Sequence, residues 1–294
     1  MTSQAEWLDF RTTLEEYVEP TYYDELLQPY VFTGGSDLDL LEVALAELGA
    51  RRPVRSVLEL GVGTGRVTEV LQRIPTLERY RGIDLSGQMI EWSRRCFADD
   101  PRMSFVQSDS LDHLDHYVDS DDQYDLIVSL WSFSHSVHQH FRDAGGEAAA
   151  RRTVENAIAK VVSAGGSLYL IHFDALSDEQ RILVRQWNRV LPIFEPERQS
   201  PSKEMLDAVV ADAVAGGRAS ARVEHLAGVP IRYESLDRAL ETFMNFHLEG
   251  FFNDRGDLPE VLSEVREHLA GFQTADGSVL VAPGAFQYVV TPAG

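Results

Sequence analysis

Three glycines at alternate positions follow an acid in Val57-Leu58-Glu59-Leu60-Gly61-Val62-Gly63-Thr64-Gly65-Arg66, and a second acid, Asp84, lies 25 residues beyond Glu59. An apolar run that ends in a glycine turn brings backbone close to a ligand, and an acid ending the next strand accepts hydrogen bonds from ribose hydroxyls. The glycine spacing separates the nucleotide-like ligands. Dinucleotide sites use Gly-x-Gly-x-x-Gly and point helix amides at a pyrophosphate. Here the third glycine comes one residue early, and Glu59 precedes the turn. A carboxylate there repels phosphate and suits a cationic ligand. Thr64 and Arg66 lie close enough to contribute. Empty of any ligand, such a turn would be costly, because glycine loses more conformational freedom on folding than any other residue.

Other candidate residues fall where later strands end. Asp84 is followed by Leu85-Ser86-Gly87-Gln88-Met89, so Leu85 and Met89 offer apolar walls to a flat ring. Asp109 and Ser110 open the loop after a third strand. Leu130-Trp131-Ser132-Phe133-Ser134-His135-Ser136-Val137-His138-Gln139-His140 leaves a fourth strand, and His172 ends a fifth. Ligands of open α/β sheets gather at these carboxyl ends. Histidine titrates near neutrality and takes a proton from a hydroxyl or amine, which makes His135 and His172 candidate general bases. His135, His138 and His140 are spaced i, i+3, i+5 and cannot share one helix face, so no metal site is expected. His247, among Phe243, Met244, Phe246 and Phe251, reads as packing or pocket wall.

Strands are expected at Ser56–Leu60, Tyr80–Asp84, Met103–Gln107, Tyr124–Leu130 and Ser167–His172, with helices between them, the signature of a parallel sheet. Ser36-Asp37-Leu38-Asp39 caps an earlier helix carrying Leu38, Leu41, Leu45 and Leu48. Helices are expected near Glu147–Val162, Asp178–Val190, Met205–Val214, Leu236–Glu249 and Pro259–Leu269. Val223–Tyr233 reads as one strand kinked at Pro230, and Ala285–Thr291 as a final strand. Cys96 falls on the apolar side of the helix after Ser86 and is expected to be a buried thiol.

On the acid–glycine loop and the acid-x-Ser-x-x-Met pattern of residues 84–89, the chain resembles the class I S-adenosylmethionine (SAM)-dependent methyltransferases, over roughly residues 55–175. SAM lacks phosphate and carries a sulfonium and an ammonium group. The resemblance implies an α/β fold: a Rossmann-like, doubly wound, mostly parallel sheet with an antiparallel closing strand. It implies a helical N-terminal lid over 1–50, a SAM-binding core over 51–175, and acceptor-pocket helices with closing strands over 176–294. It assigns the cofactor to Tyr23, Glu59, Gly61, Gly63, Thr64, Gly65, Arg66, Asp84, Leu85, Met89, Asp109, Ser110 and Leu130. In that scheme Glu59 helps orient the amino end, Asp109 accepts from the adenine amino group, and Tyr23-Asp24-Glu25-Leu26 folds over the ligand as a lid.

Departures narrow the acceptor. The (Asn/Asp)-Pro-Pro-aromatic tetrad of enzymes that methylate amide or nucleobase nitrogen is missing after the fourth strand. Formal net charge is −21, from 47 acids against 26 bases, which disfavours a nucleic-acid partner. No run of about 18 apolar residues marks a membrane span. No secretory signal is visible, and a single cysteine fits a reducing cytoplasm. The expectation is a cytoplasmic enzyme that methylates O, N or C of a small molecule, a natural-product intermediate among the candidates, and releases S-adenosylhomocysteine (SAH). A homodimer is compatible with the sequence. The rival is a SAM-binding enzyme of the same fold that catalyses cyclisation or decarboxylation without methyl transfer.

Overall fold

The computed structural model describes residues 20–21, 30–117, 123–141, 144–248 and 251–293. The expected lid motif around Tyr23 lies outside them. A short hairpin, β1 (Val31–Phe32) with β2 (Gly35–Ser36), leads into helix α1 (Asp37–Arg51). The Ser36 hydroxyl accepts from the Asp39 amide at 3.1 Å while the Asp39 carboxylate accepts from the Ser36 amide at 2.8 Å, a reciprocal cap that satisfies otherwise orphaned donors.

Strands and helices then alternate: β3 (Ser56–Leu60), α2 (Arg66–Leu71), β4 (Arg79–Asp84), α3 (Gly87–Cys96), β5 (Met103–Gln107), α4 (Ser110–Tyr117), β6 (Tyr124–Leu130), α5 (Phe133–His140), α6 (Gly146–Asn156) and β7 (Val162–Phe173). Helix α7 (Asp178–Trp187), α8 (Pro201–Ala215), β8 (Ala219–Ala227), β9 (Ile231–Tyr233), α9 (Leu236–Thr242), α10 (Leu258–Ala270), β10 (Val279–Val281) and β11 (Gly284–Pro292) complete the chain. The main sheet has seven strands in the order β5-β4-β3-β6-β7-β11-β8. From β5 to β7 all pairings are parallel, and β11 runs antiparallel between β7 and β8. The sheet is therefore the doubly wound, mostly parallel type with an antiparallel closing strand. After β3 the chain winds outward to β4 and β5, then returns to place β6 on the other side. That reversal opens a crevice at the carboxyl ends of β3 and β6.

Both faces of the sheet are covered, which is why β6 is buried at every position. Leu41, Leu48, Val67, Val70 and Ile90, from α1, α2 and α3, pack on one face. Leu111, Leu114, Val154, Ile158, Leu206 and Val209, from α4, α6, its continuation and α8, pack on the other. A third core joins α7, α9, α10 and the antiparallel pair β9–β10 around Leu183, Phe243, Phe252 and Val265. Among the described residues, no helix is long and apolar enough to cross a membrane.

Three local expectations are corrected. Residues 223–233 form two strands in two different sheets. Gly228 separates them: its amide donates to Pro283 O, and a Cβ there would lie 2.3 Å from that oxygen. Pro230 then lacks a donor with which to extend the first ladder. The helices expected to 162 and 249 pass into π-helical turns at Ala157–Val161 and Phe243–His247. Cys96 is exposed, while its neighbours Ser93 and Phe97 take the buried face of α3.

Asp125, at the start of β6, clamps the amino end of the sheet. Its carboxylate accepts from the Arg55 and Ser56 amides (2.8 and 3.0 Å) and the Ser163 hydroxyl (3.1 Å), and pairs with Arg52. Asp125→Ala leaves two half-buried amides, the Ser163 hydroxyl and Arg52 without this acceptor, so it should cost about 1–3 kcal/mol in urea unfolding. A smaller loss would mean water replaces the carboxylate.

Candidate active site

The glycine loop is fixed from three sides. The Gly61 and Val62 amides both donate to Ile83 O, at 2.8 and 3.0 Å, tying the end of β3 to β4. Gly61 has φ +79°, and a Cβ there would lie 2.0 Å from Ser132 Oγ. No other residue fits both the backbone and the space. The Ser129 and Ser132 hydroxyls in turn donate to Leu60 O, at 2.8 and 2.7 Å, so the loop after β6 is bound to the loop after β3. The Gly63 amide donates to Asp84 Oδ2 at 2.8 Å, and the Ser86 amide to Asp84 Oδ1 at 2.9 Å.

These loops line one side of a cavity of about 450 Å³. Gly61, Gly63, Thr64, Arg66, Asp84, Leu85, Met89, Asp109, Ser110 and Leu130 all border it, as do His135 and His172. Trp187, Phe194, Phe246 and Phe251 form its other end. Gly65 is not on the wall. It turns the chain into α2 with φ +94° and packs against Phe97.

Glu59 is not on the wall either, which corrects the expectation that it orients a ligand directly. Its carboxyl lies behind the loop, 1% exposed, and accepts from Tyr80 OH (2.7 Å) and Thr68 Oγ1 (2.9 Å). Burial pushes its pKa up to about 8, against the two hydrogen bonds, so it is mostly protonated at neutral pH and offers little countercharge.

The two candidate bases differ. His172 is 2% exposed, with Nδ1 2.9 Å from Phe173 O and Nε2 3.0 Å from Ser202 Oγ. The carbonyl can only accept, so Nδ1 carries the proton and Nε2 accepts from the serine. Burial holds the ring down to about 4. With both nitrogens engaged and a low proton affinity, His172 is a wall and brace for Ser202, not a general base. His135 is exposed at the cavity wall, edge-on to Phe173 with ring centroids 6.0 Å apart. As the spacing implied, the three histidines of α5 diverge: His138 contacts Phe194 and the Ser202 amide, and His140 turns to Asp109.

Asp109 is held by the Ser136 hydroxyl (2.7 Å), the Leu111 amide (2.8 Å) and His140 Nε2 (3.0 Å). Asp112 completes a trio with Asp109 and His140 whose ligand atoms lie within 4.8 Å of one another, one candidate metal geometry among the described residues. Asp112 is largely solvated and 3.8 Å from His140, and the hydrogen bonds already fix Asp109.

Sequence reasoning missed three participants. Asp37, fully buried, accepts from Nη1 and Nη2 of Arg66 (2.9 and 2.5 Å) and from Trp131 Nε1 (2.8 Å). An acid in the first turn of α1 looks like an ordinary partner of the helix dipole, so nothing in the chain announced this role. Trp131 sits at φ 72°, rare for a bulky residue, and packs against Tyr30 and Phe173 with centroids 4.6 and 5.0 Å apart. Glu179, 2% exposed, accepts from Tyr30 OH (3.2 Å) and Gln180 Nε2 (3.3 Å) and lies 3.7 Å from His247 Nε2. Burial raises Glu179 to about 7 and lowers His247 to about 3. Gln180 and His247 thus give the aromatic end of the cavity two polar handles.

Two outcomes are expected. Gly61→Ala should cost about 1–3 kcal/mol in thermal unfolding, through a disfavoured φ and the clash with Ser132; wild-type stability would contradict this loop geometry. An unfolded glutamate titrates at 4.5 and folded Glu59 near 8, so the unfolded chain releases this proton first and stability declines as pH rises between those values. Glu59→Gln should flatten the decline in urea unfolding between about pH 6.5 and 8, above the range of the buried histidines. An unaltered slope would show that Glu59 is ionised in the fold.

Residues 57–156 match the family model described as a methyltransferase domain. No curated protein matches the chain. Among solved structures, the YcgJ protein of Bacillus subtilis is 19% identical, with a TM-score of 0.48, covering 85% of this chain and 99% of its own. The N-methyltransferase NodS of Bradyrhizobium japonicum, in complex with SAH, is 14% identical with a TM-score of 0.42, covering 85% and 84%. The [4+2]-cyclase SpnF is 12% identical with a TM-score of 0.47, covering 98% and 99%. Likeness at this level carries no argument about chemistry. The matched segment holds the glycine loop, Asp84, Asp109 and the loop after β6, and over these residues the chain matches a methyltransferase domain.

Proposed function

We propose that the protein is a SAM-dependent methyltransferase acting on a small, largely apolar acceptor. One observation carries the reading. The glycine loop and the Asp84 carboxylate are fixed to each other on one side of a cavity whose other end is aromatic with polar handles. SAM, when bound, supplies an electrophilic methyl group on a sulfonium.

The residues fit that group. The Asp84 carboxylate accepts the Gly63 and Ser86 amides at the cavity wall, and a carboxylate so placed is the group type that accepts from ribose hydroxyls. A Cβ on Gly63 would meet nothing within 4 Å, so the loop leaves room at that point. Met89, buried, and Leu85, 42% exposed, form the apolar walls suited to adenine. Asp109 Oδ1 is used by the Leu111 amide and His140, whereas Oδ2 takes only Ser136 among these partners and has capacity for an exocyclic amine. Thr64, Ser110 and Leu130 complete this side, and Arg66 is held by Asp37.

The chain's contribution to rate is alignment. Holding two reactants in line supplies about 7–11 kcal/mol of barrier reduction in favourable cases. Trp131, Tyr30 and Phe173 form a packed aromatic wall between the two ends of the cavity, where an acceptor would be confined and water excluded. Where the acceptor must lose a proton early, His135 is the exposed group on the wall able to take it. Trp187, Phe194, Phe246 and Phe251 favour a flat apolar scaffold, such as a natural-product intermediate, with Gln180 and His247 addressing its polar groups.

Asp84→Ala should weaken SAH binding about 10–100-fold, the loss of charge-assisted hydrogen bonds to ribose, as read by thermophoresis of the folded variant. Unchanged affinity would remove Asp84 from the cofactor site. Screening apolar phenols, amines and enolisable acids with SAM should yield a methylated product and equimolar SAH. Product formation without SAH would replace this reading with the non-methylating one.

A further inference from the structure

The far edge of the main sheet is unusually open. Strand β8 is nine residues long, pairs with β11 on one side, and among the described residues has no strand on the other. Six consecutive residues, Ser220 to His225, are exposed. Natural edges are commonly shortened or blocked by proline, lysine or a bulge, because bare amides and carbonyls recruit another strand. The interior of β8 has neither proline nor lysine. Beside it runs a shallow groove, mostly apolar, formed by Val210, Ala211, Val214 and Ala215 of α8 with Ala221 and Val223 of β8; its one charged member, Asp207, is engaged by Lys203 and the Tyr288 hydroxyl. Val214 and Val223 are 43% and 44% exposed.

We propose that β8 pairs antiparallel with β8 of a second copy of this chain, about a twofold axis at Val223, joining two seven-stranded sheets into one. Val223 is the midpoint of Ala219–Ala227. Pairing about it sets Arg222 opposite Glu224 of the partner subunit, and the axis repeats the same pair, so opposite charges meet twice. Opposite charges across a ladder attract and like charges repel. No other register centred on this strand's exposed residues gives that match: centring on Arg222 sets that arginine against its own copy, and centring on Glu224 sets that glutamate against its own copy. The remaining pairs, Ala221 with His225, Ser220 with Leu226 and Ala219 with Ala227, place no like charges together. On the opposite face, Val223 meets its own copy beside the Val214 rims, closing the apolar groove. A net charge of −21 would otherwise keep two copies apart; this edge carries one charge of each sign, and isologous contact needs a patch complementary to itself. Within one chain Arg222 rests near Glu47 (3.0 Å) and Glu224 (3.9 Å), on the face away from the groove.

Sedimentation equilibrium of the full chain tests this. The wild type should show twice the 32.9 kDa of one chain at micromolar concentration. Glu224→Arg and Arg222→Glu should each weaken the dimer about tenfold or more, because the axis doubles each repulsion. The double variant R222E/E224R should restore it, and thermal melts should show all three folded. A wild-type monomer, a dimer indifferent to the single changes, or a double variant that stays monomeric would overturn the proposal. Slow amide exchange along β8 in a monomer would also overturn it, pointing instead to a segment of the same chain covering the edge.

Discussion

The Asp84 carboxylate, at the end of one parallel strand, accepts the Gly63 amide from the loop after its neighbour. The rest of the site depends on that hydrogen bond. It couples a residue able to bind ribose to the loop that must approach the same ligand, so neither can shift alone. The amides of Gly61 and Val62 on Ile83 O extend the coupling, and the Ser129 and Ser132 hydroxyls on Leu60 O bring in the loop after β6. The crevice exists because the winding reverses between β3 and β6, and its walls are rigid because three strand ends are tied together. Ordering energy is thus spent in folding and not at the moment of binding.

A buried acid outside the doubly wound core completes the arrangement. Isolated, the Asp37 carboxylate would be costly to desolvate. Arg66, the Trp131 indole and the Leu38 amide satisfy it. In doing so it joins α1 to the first turn of α2 and to the wall of the cavity. The left-handed backbone of Trp131 is held by this contact, by its amide on Ile171 O and by the packing of Tyr30 and Phe173. Tyr30 also donates to Glu179, so the segment before α1 meets the helix that builds the aromatic end. The elements flanking the nucleotide-like site are therefore mechanically part of it.

Much of this was legible in the chain. β3, β5 and β6 fall at the residues expected; β6 leaves the clearest signal because it is buried at every position, whereas β5, at the sheet edge, buries only Phe105. The Ser36 cap, the buried face of α3 and the antiparallel strand near 285–291 were legible for similar local reasons. What escaped depends on distant neighbours. Glu59 reads as a ligand contact, but Thr68 and Tyr80 draw it behind the loop. Cys96 reads as apolar, but Ser93 and Phe97 occupy the inner face of the helix. Pro230 reads as a kink within one strand, but Gly228, pressed against Pro283, is a crossing point between two sheets. His172 reads as a base until Phe173 O and Ser202 engage both its nitrogens. Asp37 and Glu179 gave no signal, because an acid near a helix start is ordinary until its burial is known.

Isothermal titration of the purified, ligand-free chain with SAM, SAH and NAD in separate runs tests the central claim most directly. The cavity predicts micromolar binding of SAM and SAH at one site per chain and no heat from NAD, since the glycine loop, at this spacing, does not aim helix amides at a pyrophosphate. Binding of NAD, or silence toward both SAM and SAH, would contradict the account.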